Sequence, residues 1–318
     1  MSLLTIYYHR DFDGMVSGAI LARVLRGQGE KQIRFRHINY DQSRNWDDFS
    51  VGERFAIVDF HFHPRADYWF DHHPTTFLTP ELQASYEPNE RWNWDAKSPS
   101  CPPIILGHAK EHWGYHVPER FEEMSKWSDI IDAAAFKDVD QAIFGDNAAL
   151  RIMRSLSVAP HPNWTDEITQ ALSAGDLDNV ASRPDMEKAY ARAARNRDKA
   201  LDQFPDTVVW QKGRVIFFDA ATTKVRRERF SPFYHHPELS YAVGVIPTRA
   251  GFHITCGENP WNQPADGVHV GELLGKYGGG GHRAVGGANP PSKQAALEQA
   301  EEIAELLHAH MDKRESQR

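Results

Sequence analysis

The chain has 318 residues, a length that suits two domains better than one. Hydrophobic residues make up 41% of it and charged residues 25%, which is the balance of a globular protein rather than a disordered or membrane-embedded one. The net charge of −8 argues against a protein that coats long nucleic acids, because such surfaces carry an excess of lysine and arginine.

The two cysteines, Cys101 and Cys256, are too few for a disulfide framework or a cysteine zinc site. We expect them to be buried thiols in a reducing compartment. The apolar segment at residues 3–8 is too short for a signal peptide, and no apolar run approaches the roughly 20 residues that span a bilayer. A cytoplasmic protein without a membrane partner is therefore expected.

Strand-like and helix-like segments alternate in the first part of the chain. Strand patterns occupy residues 3–8, 33–38, 54–60 and 66–70, and helical patterns occupy residues 15–25, 103–113 and 119–135. Because strands and helices alternate, the sequence predicts an α/β domain with a mostly parallel sheet over residues 1–184.

A polar, alanine-rich stretch follows and predicts a long exposed helix that links two domains across residues 185–205. Beyond it, the sequence predicts a smaller α/β domain over residues 206–318. Its strand patterns lie at residues 214–219, 240–245 and 251–256, and its helical patterns lie at residues 270–277 and 293–311.

The first chemical motif, His9-Arg10-Asp11-Phe12-Asp13-Gly14, lies directly after a buried strand and directly before a helix. Open α/β sheets build their binding sites at the carboxyl ends of strands. In an extended segment, side chains alternate between the two sides, so His9, Asp11 and Asp13 are predicted to point the same way. The alternative interpretation is a polar turn that ends at Gly14.

Two further strands end in residues that bind metals. Asp59 ends the apolar run at residues 55–58, and a carboxylate buried there needs a charged partner, although it could also cap the next segment. The next strand ends in Asp71-His72-His73. Adjacent histidines point in different directions, so one can bind a metal while the other faces a substrate.

A fourth candidate is Asp129, which lies three residues before Asp132 on a predicted helix. Both carboxylates would share one helical face. Without the other motifs, a solvated acidic face explains this pair equally well.

These four segments, in this order, resemble the DHH phosphoesterases, a family whose name describes the motif Asp71-His72-His73 and which includes nanoRNase-like, pAp-phosphatase-like and RecJ-type proteins. The segment at residues 277–287, which contains four consecutive glycines followed by His282 and Arg283, is similar to the glycine-rich signature of the DHH-associated domain. The resemblance covers nearly the whole chain. It implies a catalytic DHH domain followed by a substrate-binding domain.

The resemblance also implies roles for single residues. His9 and Asp11 would bind one metal ion and Asp13 the other, with Asp59 bridging both. His72 and Asp129 would complete the shell of the second ion. His73 would touch the scissile phosphate, and Asp132 would at most support the ligands.

The ligand types indicate two Mn²⁺ ions, with Mg²⁺ as the alternative, because carboxylates and imidazoles suit these ions and no cysteine lies in the motifs. Two such ions can activate one water for attack on phosphorus. The glycine motif can approach a phosphate closely through the backbone of Gly279, Gly280 and Gly281, while His282 and Arg283 add hydrogen bonds and charge. A flexible glycine turn is the alternative for this segment.

One feature departs from the family pattern, in which an arginine precedes the glycine motif. Here residues 252–259 contain none, and Arg249 is only a substitute candidate. Arg226 and Arg227 belong to a basic run that could contact a phosphate backbone or simply be solvated. Nucleotide specificity is therefore less firmly indicated than metal-dependent hydrolysis.

The expected activity is hydrolysis of a phosphorylated small substrate or short oligonucleotide, namely short RNA, a dinucleotide or a 3′-phosphorylated nucleotide. The alternatives are a single-strand exonuclease, a polyphosphate or pyrophosphate hydrolase, and a non-catalytic nucleotide sensor. The sequence leaves open whether the protein forms a homodimer.

Overall fold

The structure is a computed structural model that describes residues 2–39, 46, 48–49, 53–116, 118–221, 228–248 and 251–315. The chain divides into two compact units. The first comprises Met1–Phe136 and Asp146–Ala193, and the second comprises Lys137–Gly145 and Ala194–Arg318. Arg226, Arg227 and Arg249 lie outside the described residues, so their predicted roles stay predictions.

The first unit contains a five-stranded sheet in which every pair of neighbouring strands is parallel. The strand order is β2-β1-β3-β4-β5. The strands are β1 (Leu4–His9), β2 (Ile33–Ile38), β3 (Arg54–Val58), β4 (Tyr68–Asp71) and β5 (Trp92–Trp94). The predicted parallel sheet is confirmed, and β5 is an additional strand that the alternation of apolar residues does not reveal.

The helices of the first unit lie between and after these strands. They are α1 (Phe12–Gly27), α2 (Pro80–Ser85), α3 (Pro102–Trp113), α4 (Glu119–Asp132), α6 (Ala148–Ser155), α7 (Trp164–Ala174) and α8 (Leu177–Ala181), while α5 (Val139–Phe144) belongs to the second unit. Apolar residues of α1, α3, α4 and α7 pack in one core with Leu4, Ile6 and Tyr8 of β1. An aromatic core that includes Tyr7, Phe55 and Trp69 covers the other face of the sheet.

The order of the strands places a topological switch at β1. After β2, the chain crosses to the opposite side of β1 and continues outward through β3, β4 and β5. Open α/β sheets leave a crevice at such a switch, just beyond the carboxyl ends of the two strands. His9 ends β1, and Asp59 directly follows β3.

Helix α9 (Pro184–Gln203) runs through the division between the units. The sequence predicts a helix there, and this is confirmed, but the prediction that it is exposed is wrong for one of its faces. Met186, Ala189 and Ala193 are buried in the core of the first unit. The alanines that make this stretch resemble a solvated linker are small side chains that let the helix pack closely.

The second unit has a six-stranded mixed sheet in the order β10-β11-β9-β8-β7-β6. Its elements are β6 (Val208–Lys212), β7 (Val215–Asp219), α10 (Ser231–His235), β8 (Tyr241–Thr248), β9 (Gly251–Glu258), α11 (Val270–Gly275), β10 (Gly280–Gly281), β11 (Val285–Ala288) and α12 (Lys293–Glu315). Apolar residues of α12, including Ala300, Ile303 and Leu307, pack with Val215 and Val243 of the sheet. The predicted α/β class is confirmed for both units.

Both cysteines are buried and unpaired, as the sequence predicts. Among the helices of the described residues, none is long and apolar enough to cross a membrane.

Candidate metal centre

The turn from β1 into α1 brings His9, Asp11 and Asp13 to one edge of the sheet. Asp11 caps α1, because its side chain accepts a hydrogen bond from the Gly14 amide at 2.9 Å. Its other oxygen lies 2.8 Å from His9 Nδ1. The side chain of Asp11 therefore starts the helix with one oxygen and faces His9 with the other.

Asp13 reaches the site by a different route from the one that the sequence predicts. The helix begins at Phe12, so Asp13 lies in its first turn and not in an extended segment. The period-two argument is therefore wrong for this residue. Asp13 is buried, and its Oδ2 accepts a hydrogen bond of 3.0 Å from the Cys101 amide at the start of α3.

Gly14 is required by close backbone packing. A Cβ at this position would lie 2.2 Å from the His9 carbonyl oxygen. Since the clash is with backbone, no side-chain rotation relieves it. The glycine therefore lets the first turn of α1 fold back onto the end of β1, which holds the first motif in place.

Asp59 occupies the centre of the site. It is buried, with 1% exposure, and its backbone is left-handed with φ of 56°, which is uncommon for a residue other than glycine and is found at functional sites. Its Oδ2 lies 3.7 Å from His9 Nδ1, while its Oδ1 lies 3.4 Å from His72 Nε2. The two oxygens thus face histidines from two different motifs.

His72 is oriented by the backbone. Its Nδ1 lies 3.3 Å from the Ser98 carbonyl oxygen, so donation of the Nδ1 proton to that carbonyl leaves the Nε2 lone pair free to bind a metal. Nε2 lies 3.4 Å from Asp13 Oδ2 and 3.6 Å from Asp132 Oδ2. This histidine therefore joins Asp13, Asp59 and Asp132.

His73 is held by Asp71, the last residue of β4. His73 Nδ1 lies 2.9 Å from Asp71 Oδ1, and the Asp71 carboxylate is fully buried. Burial opposes protonation, but the hydrogen bond and charge of Asp71 raise the pKa of His73 to about 9. The sequence motif contains Asp71 but does not reveal that this residue orients His73.

The structure separates Asp129 from Asp132. Asp129 accepts a hydrogen bond of 2.6 Å from Ser100 Oγ and belongs to none of the groups of converging ligand atoms among the described residues. Asp132, which the resemblance places outside the ligand set, converges with Asp13 and His72. The side chain of Asp132 is 33% exposed.

His63, which follows Asp59 closely in the sequence, forms hydrogen bonds with the backbone. Its Nε2 lies 3.0 Å from the Trp46 carbonyl oxygen and its Nδ1 accepts from the Arg65 amide. These contacts use both ring nitrogens in backbone hydrogen bonds.

Three groups of ligand atoms converge at this edge, each within 4.8 Å. One is His9, Asp11 and Asp59, the second is Asp13, His72 and Asp132, and the third is Asp59, Asp71, His72 and His73. Neighbouring ligands of an octahedral ion with bonds of about 2.1 Å lie about 3 Å apart, and opposite ligands about 4 Å apart. The spacings of 2.8 to 3.7 Å between ligand atoms in the first two groups match this pattern.

The neighbouring carboxylates of the site repel one another, so a bound cation would stabilise their charged forms. Burial and the neighbouring carboxylates Asp59 and Asp132 raise the pKa of Asp13 well above its usual value. Burial and the charges of Asp59 and Asp11 raise the pKa of Asp132 to about 6. Burial alone would raise the pKa of Asp59, but the nearby rings of His72 and His9 lower it.

Several buried atoms of the cluster have no hydrogen-bond partner in the described part of the chain. They are Asp13 Oδ1, both carboxylate oxygens of Asp59, Asp71 Oδ2 and His72 Nε2. Buried polar atoms are normally paired with protein, water or an ion. The cluster therefore has the donor atoms, spacing and unmet charge that suit divalent cations.

The glycine motif lies in the second unit, where Gly280 and Gly281 form β10 and pair with β11. A Cβ on Gly279 would lie 2.2 Å from the Gly287 carbonyl oxygen, and one on Gly281 would lie 2.3 Å from the Val285 carbonyl oxygen. Close strand packing therefore accounts for these two glycines. Gly280 has no atom within 4 Å of its Cβ position.

His282 and Arg283 directly follow the four consecutive glycines and are exposed. Arg283 Nη1 donates to both carboxylate oxygens of Glu258 at 3.1 Å, and Glu258 is buried. The guanidinium of Arg283 is thus anchored within its own unit. The predicted substrate contacts of Gly279, Gly280, Gly281, His282 and Arg283 stay predictions.

No protein-family model matches the sequence, and no curated protein matches it. Solved structures do match. The pGpG-specific phosphodiesterase PggH from Vibrio cholerae has a TM-score of 0.68 at 19% identity, with 98% of this chain and 99% of that chain covered. The DHH domain of a protein assigned to a family of ribosomal proteins has a TM-score of 0.59 at 13% identity, with 96% and 87% covered.

The exonuclease RecJ bound to manganese has a TM-score of 0.57 at 12% identity, with 97% of this chain and 90% of that chain covered. Likenesses at these identities show a shared fold. The fold shared with these structures extends across nearly the full length of the chain and agrees with the resemblance that the order of the motifs indicates.

Proposed function

We propose that the protein is a divalent-metal-dependent phosphodiesterase that hydrolyses short oligonucleotides, with linear dinucleotides such as pGpG as the first substrates to test. The observation that carries this proposal is the geometry of Asp59. A buried carboxylate with no hydrogen-bond partner in the described chain faces His9 with one oxygen and His72 with the other. A carboxylate placed in this way suits a bridge between two cations.

His9, Asp11 and Asp59 would hold one cation, and Asp13, His72 and Asp132 would hold the other. Asp59, whose Oδ1 lies 3.4 Å from His72 Nε2, would be shared between them. This assignment replaces Asp129 with Asp132, because Asp129 is engaged by Ser100 while Asp132 faces His72. Divalent cations bound here would supply Lewis-acid activation of water and neutralise the charge of the phosphoryl group.

The protein's own residues orient the reaction. Asp71 fixes His73 through Nδ1, which leaves Nε2 of His73 to donate a hydrogen bond to a phosphoryl oxygen. The Ser98 carbonyl fixes His72, and the Cys101 amide fixes Asp13. Because these orienting contacts come from the backbone and from a buried carboxylate, the cluster is held in place before the substrate arrives.

Two comparisons support the choice of substrate and metal. PggH, named as pGpG-specific, matches this chain over nearly the full length of both proteins. RecJ, another protein of this fold, binds manganese. Imidazole and carboxylate ligands together favour Mn²⁺ over Mg²⁺.

The test uses the full chain after treatment with a chelator. Hydrolysis of pGpG, a 5′-phosphorylated hexanucleotide, a 3′-phosphorylated nucleotide and polyphosphate is measured with Mn²⁺, with Mg²⁺ and without metal. We expect Mn²⁺-dependent cleavage of pGpG. Asp59→Asn should lower kcat/KM by about 10³-fold, because one substitution weakens both cation sites.

The matched control is Asp178→Asn, the same chemical change at an exposed position of the same unit. It should leave kcat/KM unchanged. Rapid cleavage of the hexanucleotide with little cleavage of pGpG would favour an exonuclease. Binding of pGpG without any Mn²⁺-dependent turnover would favour a nucleotide sensor and overturn the proposal.

A further inference from the structure

Arg10 lies between two residues of the proposed metal centre, His9 and Asp11. Its amide donates a hydrogen bond of 3.2 Å to the carbonyl oxygen of Ile38, the last residue of β2. This contact fixes Arg10 at the carboxyl edge of the sheet, on the side of β1 that faces β2 and away from β3. The residue is half-buried.

The guanidinium of Arg10 makes no hydrogen bond or ion pair with the described residues. Two arginines elsewhere in the same unit are paired. Arg26 donates to Ser173 and Gln170, and Arg54 pairs with Glu30. None of the Arg10 guanidinium nitrogens is among the buried unpaired atoms of the described chain, so the group is reached by solvent and is available to bind an anionic partner.

The carboxylate of Asp166, whose charge acts on Tyr8 together with that of Arg10, is already engaged. Asp166 Oδ1 accepts from the Tyr8 hydroxyl at 2.6 Å and from the His37 amide at 2.8 Å, and His37 Nδ1 lies 3.0 Å away. Burial and the Asp166 charge raise the pKa of Tyr8, and the charge of Arg10 opposes them. Arg10 therefore lies near this hydrogen-bonded cluster without forming an ion pair with Asp166.

We infer that Arg10 is a specificity-determining residue that binds the terminal 5′-phosphate of the substrate, next to the scissile phosphodiester held at the metal centre. This inference rests on the proposed function. A phosphate presents several charged oxygens to the planar guanidinium and can accept two parallel hydrogen bonds from it. Because Arg10 lies between His9 and Asp11 in the chain, this contact would lie at the same edge of the sheet as the proposed metal centre, on its β2 side.

Arg283 is the arginine for which the glycine motif predicts a contact with the substrate. Its Nη1 is held by the buried carboxylate of Glu258, whereas no described residue holds the guanidinium of Arg10. The two arginines therefore differ in whether a carboxylate of the protein already holds the guanidinium. This difference favours Arg10 as the residue that recognises the terminal phosphate.

The test compares pGpG with GpG, which lacks only the terminal phosphate, and pGpG with pApA, which changes only the bases. Values of kcat/KM and of Kd with Mn²⁺ are measured for the wild-type chain, Arg10→Ala, Arg10→Lys and the control Arg36→Ala. Arg36 is an exposed arginine on β2, two residues from Ile38. Thermal unfolding of each variant checks that the chain is folded.

We expect Arg10→Ala to reduce the preference for pGpG over GpG by about 10- to 100-fold, the range for a lost hydrogen bond to a charged group. Arg10→Lys should retain part of the preference, because it keeps the charge but loses the paired donors. Arg36→Ala should keep the full preference, and the preference for pGpG over pApA should be the same in every variant.

Three results would overturn the inference. They are a parallel fall in both pGpG and GpG hydrolysis, an unchanged preference between them, and a change in base preference alone. If the wild-type chain hydrolyses neither substrate, the proposed function fails, and the ratio of the two dissociation constants still decides the role of Arg10.

Discussion

Two regions contain the motifs that resemble the DHH family: the carboxyl edge of the parallel sheet, and the glycine hairpin formed by β10 and β11 in the second unit. They differ in whether neighbouring residues satisfy their polar groups. At the sheet edge, buried atoms of Asp13, Asp59 and His72 have no hydrogen-bond partners among the described residues. In the hairpin, Gly279 and Gly281 are explained by neighbouring backbone, and Arg283 is bonded to Glu258.

The difference shows that two equally conspicuous motifs do not give equal support for a ligand. A buried carboxylate without a donor is unfavourable unless a cation compensates it, so the sheet edge itself indicates a missing partner. A glycine that only allows close packing of the backbone does not indicate a missing ligand. The proposed function therefore rests on the residues at the sheet edge. In the hairpin, only Gly280 and the exposed His282 have no structural role that already explains them in this way.

The largest expected effect on stability is that of Gly14→Ala. The new methyl group would lie 2.2 Å from the His9 carbonyl oxygen, so the β1–α1 turn must move. We expect a loss of about 3 kcal/mol in the free energy of unfolding, together with weaker Mn²⁺ binding. Chemical denaturation and metal titration measure the two effects.

Gly107→Ala is the matched control for Gly14→Ala, because Gly107 lies in α3 with no atom within 4 Å of its Cβ position. This variant should gain roughly 0.5–1 kcal/mol in helix stability. If the two alanine variants were equally stable, the close contact at Gly14 would not destabilise the fold, and the prediction would be wrong.

Metal binding should give the next largest effect. At a free Mn²⁺ concentration of about 100 times Kd, one bound ion stabilises the fold by about 2.7 kcal/mol, which raises Tm by about 5–10 °C for a unit of this size. Asp59→Asn should lose this shift, whereas Asp178→Asn should keep it. A Tm shift that survives in Asp59→Asn would place the ion elsewhere.

Neighbouring glycines of the hairpin should respond differently to alanine. Gly279→Ala introduces a clash with the Gly287 carbonyl and should destabilise the second unit by about 2 kcal/mol. Gly280→Ala has open space and should leave stability nearly unchanged. If Gly280→Ala also weakens substrate binding at unchanged stability, the hairpin backbone contacts the substrate, and the contrast between the two regions narrows.

The smallest expected effect separates two carboxylates of α4. Asp132→Asn should weaken Mn²⁺ binding about tenfold, since Asp132 faces His72, whereas Asp129→Asn should weaken it less. Isothermal titration of both variants with Mn²⁺ compares them directly. A larger loss in Asp129→Asn would restore the ligand set that the family resemblance implies.

The sequence predicted the strands that carry the site because their apolar runs end abruptly in ligand-type residues. Asp59 and Asp71-His72-His73 follow β3 and β4 in this way. Parallel strands end at a common edge, so the convergence of these segments follows from the sheet alone. The prediction that His9, Asp11 and Asp13 all project from extended chain failed because Asp11 caps a helix that begins at Phe12.

The α/β class, the order of the motifs and the kind of donor atoms that they supply can be read from the sequence alone, since periodicity and residue chemistry are local properties. The tertiary structure alone shows that Asp132 converges with Asp13 and His72 while Asp129 is bonded to Ser100, that Asp71 holds His73, and that Arg10 has no described partner. The rotation of α4 against the sheet and the distribution of hydrogen-bond partners depend on how distant segments pack. Residue spacing along the chain does not encode that packing.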